Sequence, residues 1–268
     1  MDFLKECTAG AAGGVAQCFT GHPLDTIKVT MVSNPAKYPD LSSTARQLVA
    51  EGGFGRLYKG VQSPLTGLTL MNILCFSSNA QARRFIGEET TMQLAAAGGV
   101  AGAFASLAES PIDLIKCQLQ VRGELYNGFV DCAKTVTRQH GIAGLYQGMS
   151  ATLLRNIQGN AFYFGIFETL CRYDPHRSAS TILAAGAIGG IGYWGLAYQF
   201  DVVKTRLQSQ SLVRSEQEFT GLVDAFRKIH ARSGLRGFFI GYTPCMVRAV
   251  PANAATFYAY SVVREHLG

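Results

Sequence analysis

Pro23-Leu24-Asp25-Thr26-Ile27-Lys28 returns as Pro111-Ile112-Asp113-Leu114-Ile115-Lys116 and again as Gln199-Phe200-Asp201-Val202-Val203-Lys204. The step is 88 residues each time, for the aspartates and the lysines alike. Self-similarity at a fixed period marks a chain assembled from one repeated structural unit. Glycines keep the same step. Gly10, Gly98 and Gly186 lie 15 residues before their aspartates, and Gly14, Gly102 and Gly190 lie 11 before. Each pair has the small-xxx-small spacing that lets helix backbones close up inside a membrane. A second element follows in every repeat: Gly53-Phe54-Gly55-Arg56-Leu57-Tyr58-Lys59-Gly60, then Gly141-Ile142-Ala143-Gly144-Leu145-Tyr146-Gln147-Gly148, then Gly234-Leu235-Arg236-Gly237-Phe238-Phe239-Ile240-Gly241. Their last glycines are 88 and 93 apart, so the third repeat carries five extra residues, which fall in the polar stretch 209–219.

Around these elements each repeat holds two long apolar stretches: 3–31 and 63–85, 92–120 and 150–172, 178–208 and 243–267. Each is long enough to cross about 30 Å of hydrocarbon as a helix. The connectors 129–140 and 219–230 place apolar residues at helical spacing and read as short amphipathic helices on the membrane surface. The expectation is an all-α membrane protein, a single transmembrane domain over 1–268 of three repeats at about 1–88, 89–176 and 177–268.

Composition agrees. Hydrophobic residues make up 48% and charged residues 16%, below the roughly 25% charged of a soluble protein. A mean hydropathy of +0.13 suits helices with lipid on one side and water on the other. The net charge of +6 is either an ordinary basic surface or an attraction to anionic head groups. Nucleic-acid binding needs a dense cationic stripe with a reading motif, and neither occurs. The seven cysteines form no C-x-x-C pair, which speaks against zinc or a disulfide framework; they read as packing residues. The five histidines are isolated. With no nucleophile–base set and no metal cluster, neither an enzyme nor a cofactor is expected. The N-terminal stretch shows no cleavable signal or Arg/Ser-rich transit peptide, so targeting is read as internal.

Aspartate and lysine three residues apart share one helix face. Charges at the end of a lipid-spanning helix face the bundle interior or water. Proline two residues before Asp25 and Asp113 bends the helix. Three such helices can close one end of a cavity with a ring of inter-helix ion pairs, a gate that opens when the pairs break. The alternative is a soluble α-solenoid with salt-bridged repeats, which needs neither three glycine pairs nor mid-helix prolines in register.

These residues closely resemble the mitochondrial carrier family over essentially the whole chain. The resemblance implies six transmembrane helices in a threefold pseudosymmetric barrel, three short matrix-side surface helices, and both termini on the cytosolic side of the mitochondrial inner membrane. A peroxisomal membrane is the alternative location. It implies a matrix gate pairing Asp25 with Lys116, Asp113 with Lys204, and Asp201 with Lys28, braced by Gln120 and Gln208. Val32 stands where the first brace would be. Gln199 replaces the third proline, and Gly52, His140 and Ser233 replace the acid of the second element. The cytosolic gate is reduced to Glu168, with Arg264 or Arg83 as partner. Cardiolipin is implied at Gly60, Gly148 and Gly241, where free backbone N–H groups suit phosphate. The other partner implied is a small-molecule substrate, carried by a monomer.

The even-numbered long stretches carry a second register. Phe76, Phe164 and Phe257 match, and nine residues before them stand Gly67, Arg155 and Arg248. An intramembrane arginine is a functional candidate, and a bidentate carboxylate is its simplest ligand; a lipid phosphate or a structural partner is the alternative. Leu153-Leu154-Arg155-Asn156 and the run from Arg248 to Ala255 resemble the substrate contacts of the carnitine/acylcarnitine and basic-amino-acid branch, as does Gly21-His22-Pro23-Leu24-Asp25-Thr26. In that branch an acid follows the first arginine, and basic-amino-acid members add one near Met71; here Asn156 and Met71-Asn72 stand instead. Glu109, one turn before Asp113, is read as a compensating acid that faces a substrate ammonium, or else as a packing residue paired with a neighbouring arginine. His22 is read as lining the cavity or as a satisfied polar helix residue. Asn72, Asn160 and Asn253 are read as inter-helix hydrogen-bonding residues.

The reading is therefore transport of a small carboxylate-bearing metabolite, carnitine-like or an amino acid, by antiport or uniport. The alternatives are another carboxylate or a cofactor as cargo, a proton leak, and a non-transporting scaffold. Nucleotide transport is disfavoured, because the triple-arginine-then-methionine run of ADP/ATP carriers is absent.

Overall fold

The computed structural model describes residues 2–174 and 178–267. Among them there is no strand. Nine α-helices follow one another: α1 Asp2–Ser33, α2 Leu41–Gly52, α3 Gln62–Ile86, α4 Thr91–Arg122, α5 Phe129–Gly144, α6 Met149–Arg172, α7 Ala179–Ser209, α8 Leu222–Ser233 and α9 Tyr242–Leu267. Each repeat is thus long helix, short helix, long helix. The side chains of residues 1–11 and of Asn72, Phe76, Asn253, Phe257 and Arg264 are among those outside the described ones, as is the boundary at 176–177.

The short helices start and stop for local reasons. Asp40 caps α2 by accepting from the Ser42 and Ser43 amides, which satisfies donors a helix start leaves open. Gly53, Gly141 and Gly234 end the three short helical runs in left-handed backbone, at φ 66°, 69° and 58°, a conformation glycine adopts without steric cost. Each short helix buries the same two positions: Thr44 and Leu48, Cys132 and Val136, Ala225 and Ile229. These are 88 and 93 apart, so the amphipathic face repeats with the chain. Gly60, Gly148 and Gly241, at φ 85°, 84° and 78°, then turn the chain into the second long helix.

The chain divides into two compact units. The first holds residues 1–68, 115–139 and 240–268. In it α1 packs along α9, and Leu48 and Leu57 close over Ile27, Met31 and Tyr38. The second holds 69–114 and 140–239. There α6 packs along α7, and α8 lays Ala225 and Ile229 on Ala151, Val203, Leu207, Phe219 and Phe238.

Two features of the helices were not in the repeat pattern. By length and apolarity α4 alone, among the described residues, qualifies as a membrane span, with a mean hydropathy of 1.3 over its best window. The other long helices mix polar groups into their length; α6 buries Thr152, Arg155 and Asn156. The glycine pairs are also unequal. A β-carbon at Gly98 would come within 2.5 Å of the Asn160 carbonyl oxygen, and one at Gly102 would overlap that of Asn156. So α4 and α6 touch backbone to backbone. In the third repeat Gly186 and Gly190 have open space around them, while Gly189 and Gly192 lie against the rings of Tyr163 and Phe162 on α6. The neighbours there are aromatic, and the close approach shifts to the glycines that face them.

Candidate functional site

Each unit gathers one cluster of charged side chains around a repeat aspartate. In the first, Asp25 of α1 takes Lys116 Nζ of α4 on Oδ2 at 2.9 Å. On its other side Arg248 Nε of α9 lies 3.1 Å from Oδ1. That N–H is aimed off the oxygen and is left without a hydrogen-bond acceptor, so the contact is an ion pair only. Arg248 reaches Asp25 by lying across Gly21, where an added β-carbon would meet its Cδ and Nη1 at 3.2 Å. Lys28 Nζ lies 3.9 Å from Cys245 Sγ.

In the second unit Lys204 of α7 binds Asp113 of α4 and lies 3.8 Å from Glu109 Oε1. Arg155 of α6 is held on all three nitrogens. Nη1 donates to Asp201 Oδ1 at 2.9 Å, Nε to Asn156 Oδ1 at 3.1 Å, and Nη2 to Asn156 Oδ1 at 2.8 Å and to Glu109 Oε1. The Asn156 amide donates to Glu109 Oε2 and to Ser106 Oγ at 2.9 Å, and Tyr193 OH donates to Asn156 Oδ1 at 3.3 Å. Arg155 is 6% exposed and Glu109 9%. Buried charges persist only when paired and hydrogen-bonded, and this cluster meets both conditions. The backbone contact at Gly98 and Gly102 is what brings α4 close enough for Ser106 and Glu109 to reach α6.

Arg155 on Asp201 and Arg248 on Asp25 share a repeat position, each arginine of a repeat's second long helix meeting a repeat aspartate, Arg155 through an Nη1 hydrogen bond and Arg248 through an Nε ion pair. The third aspartate, Asp113, has Gly67 at the corresponding position.

The pairs Asp25–Lys116 and Asp113–Lys204 are thus formed, each within one unit. Asp201 with Lys28 joins residues of different units and stays an expectation. Glu109 and His22 sit as the second of their two readings describes. Glu109 does not face open space: one oxygen is on Arg155 and the other on Asn156, so the packing alternative describes it here. His22 is 1% exposed. Its Nε2 donates to the Lys59 carbonyl at 3.2 Å and its ring stacks on Tyr58, because the second element of the first repeat folds back over α1. Gln120 donates to Thr26 Oγ1 at 3.0 Å, and that hydroxyl donates to the Leu57 carbonyl at 2.7 Å. Gln208 donates to the Ser110 carbonyl at 3.3 Å. Both glutamines therefore tie one long helix to another.

Arg83 of α3 pairs with Glu168 of α6 at 2.9 Å, while the Arg264 side chain lies outside the described residues. Met71 is half-buried on α3. Asn160 accepts from Cys75 Sγ of α3 at 3.7 Å and donates to the Asn156 carbonyl at 2.9 Å. Beside Gly60, a cavity of about 340 Å³ is lined by Lys59, Gln62, Tyr126 and Asn127 among others.

Ser106 and Tyr193 were not singled out from the sequence. Ser106 stands three residues before Glu109, hence on its face, a signal that was available. Tyr193 carried none; its place follows from Gly159, where an added β-carbon would strike the ring.

A threefold helical repeat with buried acid–base pairs at one repeat position defines a repeat-built carrier. Three successive segments, 1–90, 87–174 and 175–268, match the family described as mitochondrial carrier protein. Over its full length the chain is 35% identical to a mitochondrial carnitine/acylcarnitine carrier-like protein of Arabidopsis thaliana, of which it covers 99%. It is 33% identical, also over its full length, to a mitochondrial basic amino acids transporter of Rattus norvegicus, covering 90%. A glutamate/glycine mitochondrial carrier of Schizosaccharomyces pombe is 30% identical over 98% of this chain and 94% of its own. The chain belongs to the mitochondrial carrier protein family.

Proposed function

We propose that the chain carries a small zwitterionic carboxylate, an amino acid or a carnitine-like molecule, across the mitochondrial inner membrane by alternating access. The observation that carries this reading is the pair of arginines at one repeat position, each engaged with a repeat aspartate. A substrate carboxylate at Arg248 brings a second negative charge beside Asp25 that repels it and attracts Lys116, so binding loosens the Asp25–Lys116 pair. That links occupancy to opening on one side, which alternating access requires.

Local charge supports a carboxylate: two cations, Lys116 and Arg248, lie against the one carboxyl of Asp25. The relatives that transport basic amino acids, or carry glutamate and glycine, fit cargo of that type.

In this reading six long helices span the membrane, with both termini on the cytosolic side. Asp25, Lys28, Asp113, Lys116, Asp201 and Lys204 form the matrix gate, and Glu168 with Arg83 and Arg264 belongs to the cytosolic end. Lipid phosphate sits at Gly60, Gly148 and Gly241; the cavity beside Gly60, with Lys59 and Gln62 on its wall, supports this for the first repeat. The protein works as a monomer.

The test is uptake into liposomes holding the purified protein, with labelled carnitine, glycine, glutamine and arginine offered singly and a matched internal pool. Saturable uptake of at least one, abolished by Arg248→Gln, is expected. Proton flux with no solute uptake would replace this reading with a leak.

A further inference from the structure

Two departures from the repeat pattern have no part in the transport site. One is the five-residue insertion of the third repeat. The other is His140, which stands where the other repeats have Gly52 and Ser233. The fold brings the two together inside the second compact unit. A cavity of about 590 Å³ lies between segments 140–147 and 212–220, with His140 and Gln147 on one wall and Arg214, Gln217 and Thr220 on the other. That volume is ample for a small-molecule site.

The inserted wall is held in place. Gln210 pairs with the Phe219 backbone in both directions. Gln217 donates to Gln147 Oε1 at 2.9 Å, and Gln147 donates to the Leu207 carbonyl of α7 at 2.7 Å. These bonds frame the single 3-10 turn Arg214–Glu216.

The lining carries one sign of charge. Among the described residues no Asp or Glu belongs to it. Glu216, the acid in Arg214's own turn, accepts the Ser211 hydroxyl at 2.7 Å. Arg214 has no ion pair and no side-chain hydrogen bond among the described residues, so its guanidinium fork is uncommitted. His140 adds a ring N–H in either tautomer, and Thr220 adds a hydroxyl. These donors come from three separate stretches of chain: the end of α5, the 3-10 turn and the approach to α8. A tetrahedral phosphate presents oxygens in several directions and suits them better than a planar carboxylate.

We propose that this cavity binds the phosphate group of a soluble ligand, held by Arg214 and His140 with Thr220 beside them. The site is independent of what the protein carries. It is also distinct from lipid phosphate at Gly148. That expectation draws on a turn glycine shared by all three repeats, whereas the insertion and its arginine occur in one.

The test is thermal unfolding of the purified protein in detergent, titrated with inorganic phosphate at an ionic strength held constant with chloride. A ligand of the folded state raises Tm by mass action. Phosphate should raise the Tm of the unsubstituted protein. Arg214→Gln should weaken its apparent affinity about tenfold, the change one lost charge-assisted contact commonly makes, and His140→Ala should weaken it less. Arg214 is exposed, so its replacement leaves the fold intact. Arg227→Gln removes another exposed arginine of the same unit from outside the lining and should leave the response unchanged.

No gain over chloride overturns the proposal. So does a gain that Arg214→Gln leaves unmoved, or one that Arg227→Gln weakens equally. Cardiolipin added to the same samples separates the two sources of phosphate. Its stabilising effect should be the same with and without Arg214. If Arg214→Gln removes the gain from cardiolipin and keeps that from phosphate, the cavity belongs to a lipid headgroup and the soluble ligand is ruled out.

Discussion

At the scale of single residues, the site is governed by which groups are left with hydrogen-bonding capacity. Arg155 and Arg248 look alike in the sequence because their register is identical. They diverge because the repeat of Arg155 supplies Glu109 where that of Arg248 has Ala197, while Arg248 lies across Gly21. Gly21→Ala should crowd Arg248, whose Cδ and Nη1 would lie 3.2 Å from the new methyl. We expect KM for a monocarboxylate to rise several-fold with kcat less affected, read from the concentration dependence of uptake. Gly148 is a different case. Its φ of 84° and a β-carbon approach of 2.9 Å to Gln208 Cγ both exclude a side chain. Gly148→Ala should cost about 1–2 kcal/mol from the left-handed backbone alone. Thermal unfolding in detergent would show it as a lowered Tm.

Helix by helix, one glycine spacing serves two different contacts. Gly98 and Gly102 are needed because the α6 backbone lies on them. Gly102→Ala should cost about 1–3 kcal/mol through overpacking. Gly186→Ala, in open space, should be neutral or slightly stabilising, since alanine is the better helix former by about 0.5–1 kcal/mol. Opposite signs in a melting comparison are the expected result; equal losses would mean the two pairs make the same contact. The start of α2 is sensitive to pH. Hydrogen bonds from the Ser43 hydroxyl and amide, and from Ser42, hold the Asp40 carboxyl at about 2, below the ordinary value near 4. The cap is therefore fully in place above pH 4 and is lost as pH falls through 2. Hydrogen exchange of the first turn of α2 should quicken over that window, and Asp40→Ala should remove the pH dependence.

At the scale of the molecule, both ends of the second unit are fastened. Arg83 meets Glu168, Thr91 shares a 2.8 Å hydrogen bond with Thr169, and Arg172 donates to the Glu89 carbonyl at 2.5 Å. At the other end Lys204 binds Asp113. Three links tie α3, the α3–α4 turn and the start of α4 to α6. A disulfide between Arg83→Cys and Glu168→Cys should leave uptake intact on oxidation. Loss of uptake, restored by reductant, would make that contact part of a moving gate. The inserted stretch of the third repeat is fixed to the same unit. The Gln210 side chain pairs with the Phe219 backbone in both directions, and Gln217 donates to Gln147 Oε1 at 2.9 Å.

The sequence by itself determined the repeat, its family and the helical plan, because an 88-residue period imprints identical turn glycines, acids and bases on three copies. The long helices lie within two residues of the stretches read from hydropathy, since period and turn chemistry are local properties. Aspartate and lysine could be matched across repeats for the same reason. Only tertiary structure decided what those residues touch. Glu109 was legible as a spare acid, but its partner was not. The close approach of α4 and α6 gives it to Arg155 and Asn156, and that approach depends on packing between residues some sixty positions apart. His22 shared a face with cavity candidates, yet the fold-back of Tyr58-Lys59 over α1 buried it. A sequence records which groups carry charge; whether a charge is already neutralised depends on distances of a few ångströms between helices, and those are set by the whole packed chain.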